Sequence, residues 1–345
     1  MPDQMQHITL ASRPTGAPTP DNFALETGPV PTPGAGEILV RVHYMSLDPY
    51  MRGRMDGGKS YAAATPVGAT MEGGGVGEVI ASNSDRFQPG DFAFGGFGWA
   101  THAVADAKLC RKVDPNAAPL TTSLGMLGMP GFTGWYGLHK LGRPQPGETL
   151  VVAAATGPVG SMVGQLAKAM GLRTIGIAGG ADKCAMAVDR FGFDACLDHR
   201  AHSDAKSLRA ALNGAAPDGI DIYFENVGGK VLEAVIPLMN AHGRIPLCGM
   251  ISWYNAGGLG AGAEAAMSVP ALWRTILVQH LNVQGFIISN HWDQMPAFLA
   301  DVAPRVANGE IKVVEDIVQG LENAPGAFMG LLEGRNTGKL IVKLI

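Results

Sequence analysis

Short apolar runs recur through the middle of the chain at intervals the length of a helix. Leu150-Val151-Val152-Ala153-Ala154 is the first, followed by runs at 173–177, 195–197, 220–224 and 244–247. The stretches between them, 161–170, 182–191, 203–212 and 230–239, read as helices, and a sixth apolar run at 283–288 precedes a helical stretch at 294–308. Strands alternating with helix-length segments predict βαβ units, and so a parallel sheet covered on both faces. Toward the N-terminus the pattern changes. Glu37-Ile38-Leu39-Val40-Arg41-Val42-His43-Tyr44 alternates apolar and polar positions, and 73–80 and 91–94 continue as short, glycine-flanked strands, which predicts a β-rich domain. The tail resumes that style, with strands at 311–315 and 339–344 around a helix at 324–333. The expected fold class is α/β. A β-rich domain occupies 1–125, a doubly wound parallel six-stranded sheet occupies 126–309, and 310–345 returns to the first domain, with a substrate cleft expected between the two. A length of 345 residues suits two domains.

The first apolar run ends in Ala155-Thr156-Gly157-Pro158-Val159-Gly160 and opens directly into a helix. In a doubly wound sheet this turn is where a dinucleotide pyrophosphate lies. Gly157 lets the backbone approach it, Gly160 lets the helix pack closely on the sheet, and the helix N-terminus offers free amides and a positive dipole end. Ala155 stands where the GxGxxG pattern has its first glycine, and taken alone the motif is equally a tight strand-to-helix turn. The downstream alternation favours the cradle. Roughly 20 residues further on, a domain that takes NAD places an acid on the adenosine ribose. Here the second strand ends Ile175-Gly176-Ile177-Ala178-Gly179-Gly180 with no carboxylate, Lys183 opens the next helix, and His199 and Arg200 follow the third strand. These groups suit a 2′-phosphate, so NADP(H) is the expected cofactor.

Charged residues make up only 16% of the chain, whose 48 glycines mark a compact, turn-rich protein rather than a disordered one. A net charge of -4 without basic runs argues against nucleic acid and against an acidic membrane surface as partners. No uninterrupted apolar stretch reaches the length of a membrane span. Residues 1–7 carry neither a basic segment nor an apolar core, so no secretory signal is expected and a cytoplasmic location is the default. Cys110, Cys184, Cys196 and Cys248 lie far apart, without the spacing of a zinc knuckle or a disulfide framework. Cys196 and Cys248 are expected as buried small hydrophobes in strands. The nine histidines show no metal-ligand spacing.

Four further segments carry a family resemblance. Leu47-Asp48-Pro49-Tyr50-Met51-Arg52-Gly53-Arg54-Met55, Gly128-Met129-Pro130-Gly131-Phe132-Thr133, Phe224-Glu225-Asn226-Val227-Gly228-Gly229 and Cys248-Gly249-Met250-Ile251-Ser252-Trp253-Tyr254-Asn255 occur in the expected order over nearly the whole chain. Together they resemble the zinc-independent leukotriene B4 dehydrogenase/prostaglandin reductase group of the medium-chain dehydrogenase/reductase superfamily, which includes 2-alkenal and curcumin reductases. The resemblance implies a GroES-like N-terminal domain, a Rossmann cofactor domain and a homodimer joined through the sixth strand. Zinc-dependent cousins place a cysteine ligand and a Gly-His-Glu segment where this chain reads Ser46-Leu47-Asp48-Pro49 and Thr70-Met71-Glu72-Gly73, so no metal site is expected.

Without a Lewis acid the reaction must be electronically easier than alcohol oxidation, and reduction of the activated C=C bond of an enone or enal meets that condition. Hydride at the β-carbon leaves charge on the carbonyl oxygen, which calls for a hydrogen-bond donor there. The resemblance assigns that role to Tyr254 and places Tyr50 facing the substrate, with Met129 and Trp253 expected in the cleft wall. It also implies that Ala155, Gly157, Pro158, Val159, Gly160, Lys183, His199, Asn226, Cys248, Ser252, Tyr254, Phe286, Ile287, Ile288 and Asn336 hold the cofactor. His199 stands where the family often has tyrosine, and its imidazole is expected to donate to the phosphate, more strongly when protonated. On residues alone, Phe286 to Ile288 also read as a buried strand. The glycine- and alanine-rich stretch 255–267 reads as a lid. A quinone reductase of the same superfamily and a dinucleotide-binding structural or sensor protein without turnover are the alternatives, and the segment around Tyr50 together with the Tyr254 loop favours the enone reductase.

Overall fold

The computed structural model describes residues 4–58, 60–257, 263 and 267–345. The greater part of the expected lid, residues 258–262 and 264–266, lies outside the described residues. The chain divides into two units: the described residues within 1–128, 254–261 and 315–345 form the first, and those within 129–253 and 262–314 form the second.

The first unit begins with an antiparallel pair, β1 (Gln4–Leu10) and β2 (Phe23–Pro29). It continues through β3 (Glu37–Ser46), the single-turn helix α1 (Tyr50–Arg54), β4 (Gly74–Ser82), β5 (Phe92–Gly96), β6 (His102–Asp106) and β7 (Arg111–Val113). The alternation read in β3 is real at its start, where Ile38, Val40 and Val42 are fully buried in one core cluster. Its other end enters a second cluster with Met51, Met71, Trp99 and Phe328.

In the second unit α2 (Met129–Tyr136) leads through a wide helical turn, Gly137–Gly142, into β8 (Thr149–Ala153), α3 (Pro158–Ala169), β9 (Arg173–Ala178) and α4 (Ala181–Asp189). There follow β10 (Ala195–Asp198), α5 (Ala205–Ala215), β11 (Ile220–Phe224), α6 (Gly229–Val235), β12 (Met239–Leu247), α7 (Val269–Val278), β13 (Asn282–Gly285) and α8 (Met295–Ala307). The six strands are all parallel, in the order β10-β9-β8-β11-β12-β13. That is a doubly wound sheet whose order reverses between β8 and β11, and ligands of such sheets lie beyond the carboxyl ends of the strands at this switch. The unbroken apolar reading of β8 matches its complete burial, as expected for a central parallel strand.

The first unit closes with β14 (Glu315–Gln319), α9 (Ala324–Leu332) and β15 (Lys339–Lys343). Its large sheet runs β14-β15-β3-β4-β5-β7, with β6 added on β3.

Several elements differ from the sequence reading. The strand expected at 311–315 forms instead at Glu315–Gln319, because Ile311 turns back to donate to the Arg305 carbonyl and the Lys312 amide is held by Gln165 Oε1 at 2.7 Å. β12 starts at Met239, inside the expected helix, and a register shift between Ile220 and Ile222 lets it continue to Arg244. The sixth strand stops at Gly285 and is an exposed edge strand. The buried strand expected over Phe286 to Ile288 is therefore absent: Phe286 leaves the sheet and Ile288 begins a short helical turn. Cys196 and Cys248 are half-buried rather than buried, because β10 is the opposite edge strand and Cys248 lies one residue beyond β12.

Candidate active site

At the end of β8 the backbone kinks through Ala154, whose φ of 53° lies in the left-handed region. Gly157 then caps α3 without a side-chain hydrogen bond, and Pro158 occupies the first helical position. A proline there removes one amide that no helix can use, leaving the Val159 and Gly160 amides in the first turn. Gly160 has no alternative: a Cβ on it would lie 2.3 Å from the Ala154 carbonyl oxygen. The alanine at the first glycine position is explained by the neighbouring strand. A Cβ on Gly176 in β9 would lie 2.7 Å from the Ala155 Cβ, so the glycine missing from the turn is supplied across the sheet. The turn keeps what an anion requires, first-turn amides at the positive end of a twelve-residue helix.

The second cluster lies beyond β9 and β10. The His199 and Arg200 side chains close over Gly179, with a Cβ there only 3.0 and 2.9 Å from His199 Nε2 and Arg200 Nε. Burial depresses the His199 pKa, and the charges of Lys230, Arg200 and Lys183 depress it further against the opposing pull of Asp198. In the free protein His199 is therefore held neutral at pH 7, by burial first and by the surrounding cations second, so it meets a phosphate as a neutral donor unless the bound anion restores its proton. A concentration of positive charge of this kind suits a phosphate dianion. Asp198, which the sequence reading passed over, accepts from the Gly180 amide at 2.8 Å and the Arg200 amide at 2.9 Å. Although burial opposes it, these bonds hold the Asp198 carboxyl below its usual range. It shapes the loop in front of α4, where Gly180 has a φ of 107°.

At the switch point, Asn226 Nδ2 donates to the Ala153 carbonyl at 2.8 Å, tying the end of β11 to the start of the glycine turn. Glu225, also unread in the sequence, organises this loop. Its fully buried carboxylate accepts from the Val227 and Gly228 amides and, at 3.0 Å, from the Tyr223 hydroxyl. Burial raises the Glu225 pKa against these bonds. Burial, with Glu225 beside it, also raises the Cys248 thiol to about 12, leaving Cys248 a thiol. The signal for Glu225 is an acid placed directly after the apolar end, Ile222-Tyr223-Phe224, of a central strand. Ser252 Oγ donates to the Val227 carbonyl at 2.6 Å, and the Trp253 ring lies over Gly228. Cys248, Ser252 and Trp253 are therefore gathered with Asn226. Phe286 donates its amide to the Leu247 carbonyl, just before Cys248, and its ring packs between Tyr136 and Phe224, while Ile287 and Ile288 enter the turn before α8. Met129 opens α2 and accepts from Thr133 Oγ1 at 2.7 Å.

Tyr50, Tyr254 and Asn336 belong to the first unit. Tyr50 opens α1, and the Arg54 guanidinium lies 5.6 Å from its ring and 4.6 Å from that of Tyr61. Burial, and then the Asp48 and Glu72 carboxylates, raise the Tyr50 pKa, keeping the phenol protonated. The loop before Tyr50 is fixed by a buried ion pair: Lys339 Nζ donates to Asp48 Oδ1 at 2.6 Å and to the Leu47 carbonyl at 2.8 Å. Ser46 hydrogen-bonds the other Asp48 oxygen, and Met71 is fully buried among apolar side chains. Asn336 Nδ2 donates to the Gly338 carbonyl at 2.8 Å. Tyr254 sits half-buried in the short helical turn Ile251–Ala256. Among the described residues no group of three or more His, Cys, Asp or Glu side chains is arranged to hold a metal ion, and no helix is long and apolar enough to cross a membrane.

The chain matches two family patterns, one described as the N-terminal domain of oxidoreductase over residues 6–113 and one described as zinc-binding dehydrogenase over 158–303. It is 47% identical to the NADPH-dependent curcumin reductase of Escherichia coli over 97% of this chain and 95% of that protein. It is 39% identical to the NADP(+)-dependent 2-alkenal reductase of Nicotiana tabacum, over 90% of this chain and 88% of that one. The crystal structure of CurA from Vibrio vulnificus in complex with NADPH superposes with a TM-score of 0.92 at 48% identity, covering 99% of each chain.

Proposed function

The chain belongs to the zinc-independent reductase group of the medium-chain dehydrogenase/reductase superfamily, and from that premise we propose that it is an NADPH-dependent reductase of the activated C=C bond of α,β-unsaturated aldehydes and ketones. The observation that carries this reading is the 47% identity, over almost the full length of both chains, to the NADPH-dependent curcumin reductase. The arrangement beyond the carboxyl ends of β8, β9 and β10 supports it, because it suits both a pyrophosphate and a 2′-phosphate. The Val159 and Gly160 amides hold the pyrophosphate, while Lys183, His199 and Arg200 surround the 2′-phosphate. Asn226, in the loop shaped by Glu225, and Asn336, Cys248, Ser252 and the 286–288 segment complete the cofactor contacts.

Bound NADPH supplies the hydride that reaches the β-carbon of the substrate. Tyr254 donates a hydrogen bond to the carbonyl oxygen as negative charge develops there, replacing the metal ion of zinc-dependent relatives. Tyr50, Met129 and Trp253 offer amphipathic or apolar surface to an uncharged enone. A homodimer is also part of this reading. Its support is the exposed edge strand β13, beside which α7 leaves Trp273 64%, Leu277 75% and Val278 55% exposed. An unpaired edge and an apolar helix face of that size suit a second copy of the same chain.

The test is NADPH oxidation with a panel of enals, enones, quinones and saturated ketones, with and without a chelator. Turnover of enals and enones that survives chelation is expected; turnover confined to quinones, or lost on chelation, would overturn the reading. Tyr254→Phe is expected to lower kcat on an enone by about a hundredfold while leaving NADPH affinity unchanged, since it removes a donor needed chiefly in the transition state. An unaltered kcat would take Tyr254 out of the mechanism.

A further inference from the structure

The four cysteines are widely spaced in sequence, yet the fold brings two of them together. Cys184 lies in the first turn of α4 and Cys196 on the edge strand β10, and Cys196 Sγ donates to Cys184 Sγ at 3.1 Å. Both side chains are half-buried, so a small molecule can reach them. A disulfide requires about 2.05 Å between sulfurs, so a shift of about 1 Å forms the bond. The other two thiols are placed differently. Cys110 is buried in the first unit's core, where burial raises it to about 11, and Cys248 lies beside Glu225.

The thiol pair adjoins both clusters described above. Gly176 separates it from the glycine turn, since a Cβ there would lie 3.1 Å from Cys196 Sγ on one side and 2.7 Å from Ala155 Cβ on the other. Lys183 immediately precedes Cys184, and Asp198, which holds the Gly180 amide, follows Cys196 by two residues. A bond between the sulfurs therefore pulls on the first turn of α4 and on the end of β10 together.

We propose that Cys184 and Cys196 form a reversible disulfide in the presence of a hydroperoxide, and that this bond loosens the hold on the 2′-phosphate of NADPH; the second clause rests on the reading of Lys183, His199 and Arg200 given above. The Cys184 thiolate attacks the terminal peroxide oxygen, the O–O bond breaks, and the alcohol leaves once protonated. Cys196 sulfur then attacks the resulting sulfenic acid, the S–S bond forms, and water leaves. The two thiols give up two electrons and two protons, and the hydroperoxide becomes alcohol and water. Burial raises the pKa of both thiols, and the hydrogen bond from Cys196 opposes that rise at Cys184. The first attack accordingly falls to Cys184. A pair held mainly as thiols responds to sustained oxidant rather than to traces.

The test uses the reduced full-length protein, exposed to hydrogen peroxide, then alkylated and digested with trypsin without reduction. Peptides 184–190 and 191–200 are expected joined by a disulfide that a dithiol reductant removes, with Cys110 and Cys248 alkylated. The oxidised protein should bind NADPH about tenfold more weakly while its NADH affinity moves by less than about twofold, and reduction should restore the first value. Cys184→Ser and Cys196→Ser should each make NADPH affinity indifferent to peroxide. Recovery of Cys184 and Cys196 as alkylated thiols after treatment would overturn the proposal, as would a cross-link that leaves NADPH affinity in place. Lys183→Ala in the reduced protein separates the two sources of failure. If that variant binds NADPH normally, the phosphate reading is at fault; if it binds NADPH weakly and the cross-linked protein does not, the thiol switch is.

Discussion

The turn after β8 and the cluster after β10 are made of different material, although both are expected to meet the same dinucleotide. At the turn, recognition is built from backbone: amides at a helix end, a kink at Ala154, and the absence of a Cβ on Gly160, 2.3 Å from a carbonyl oxygen. At the cluster it is built from side chains whose charges act on one another, with His199 depressed by burial and three neighbouring cations. Backbone recognition depends on shape and does not titrate. Side-chain recognition responds to pH, salt and the positions of a few long residues. On the function proposed above, the first sets whether a dinucleotide binds at all, and the second sets which one.

The sharpest way to break this comparison is Gly160→Ala. It should weaken NADPH and NADH alike, on the order of a hundredfold, in binding titrations; a selective loss of NADPH would mean that the turn reads the 2′-phosphate after all. Gly176→Ala comes next. Its methyl meets Ala155 Cβ and should cost about 1–3 kcal/mol of stability in urea unfolding. Adding Ala155→Gly should recover most of that loss, because the pair then merely exchanges which strand carries the methyl. Lys183→Ala should weaken NADPH about tenfold and NADH by less than about twofold, each measured by titration.

The smallest effect is on pH. The free His199 is neutral above its depressed pKa, and a bound phosphate dianion raises that pKa, so binding takes up a proton in the window between the two values. NADPH affinity should therefore strengthen by about threefold as pH falls from 8 through neutrality, and level off below the pKa of the free imidazole. His199→Gln should remove this contribution, leaving only that of the phosphate itself, and NADH binding should stay flat in both proteins.

The same contrast governs how far the molecule is legible in its sequence. β8 and β11 are dominated by buried apolar residues because central parallel strands are covered on both faces, and their runs announce them almost to the residue. The glycine turn is legible because only its residue types permit the path. β14 was displaced because Gln165, almost 150 positions away, captures the Lys312 backbone, and no local pattern encodes such a contact. Asp198 and Glu225 escaped notice for a related reason. Glu225 holds amides two and three residues on, and Asp198 holds those of Arg200 and of Gly180 on the neighbouring strand's loop, roles that depend on loop conformation rather than on spacing. Cys184 and Cys196 were read singly, since a helix and an edge strand had to be assembled before their sulfurs met.

The pairing of Lys339 with Asp48 also bears on the order of events during synthesis. The β3 strand of the first unit needs β15 as a neighbour, and the loop leading to Tyr50 needs the Lys339 ammonium at the start of that strand. As synthesis proceeds, the second unit has all of its strands once Gly285 is made, while the first still lacks β15 and leaves the Asp48 carboxylate without its cation. The half of the protein that is translated first is thus the half that matures last, and a shortened C-terminus should trap it open with Tyr50 unplaced.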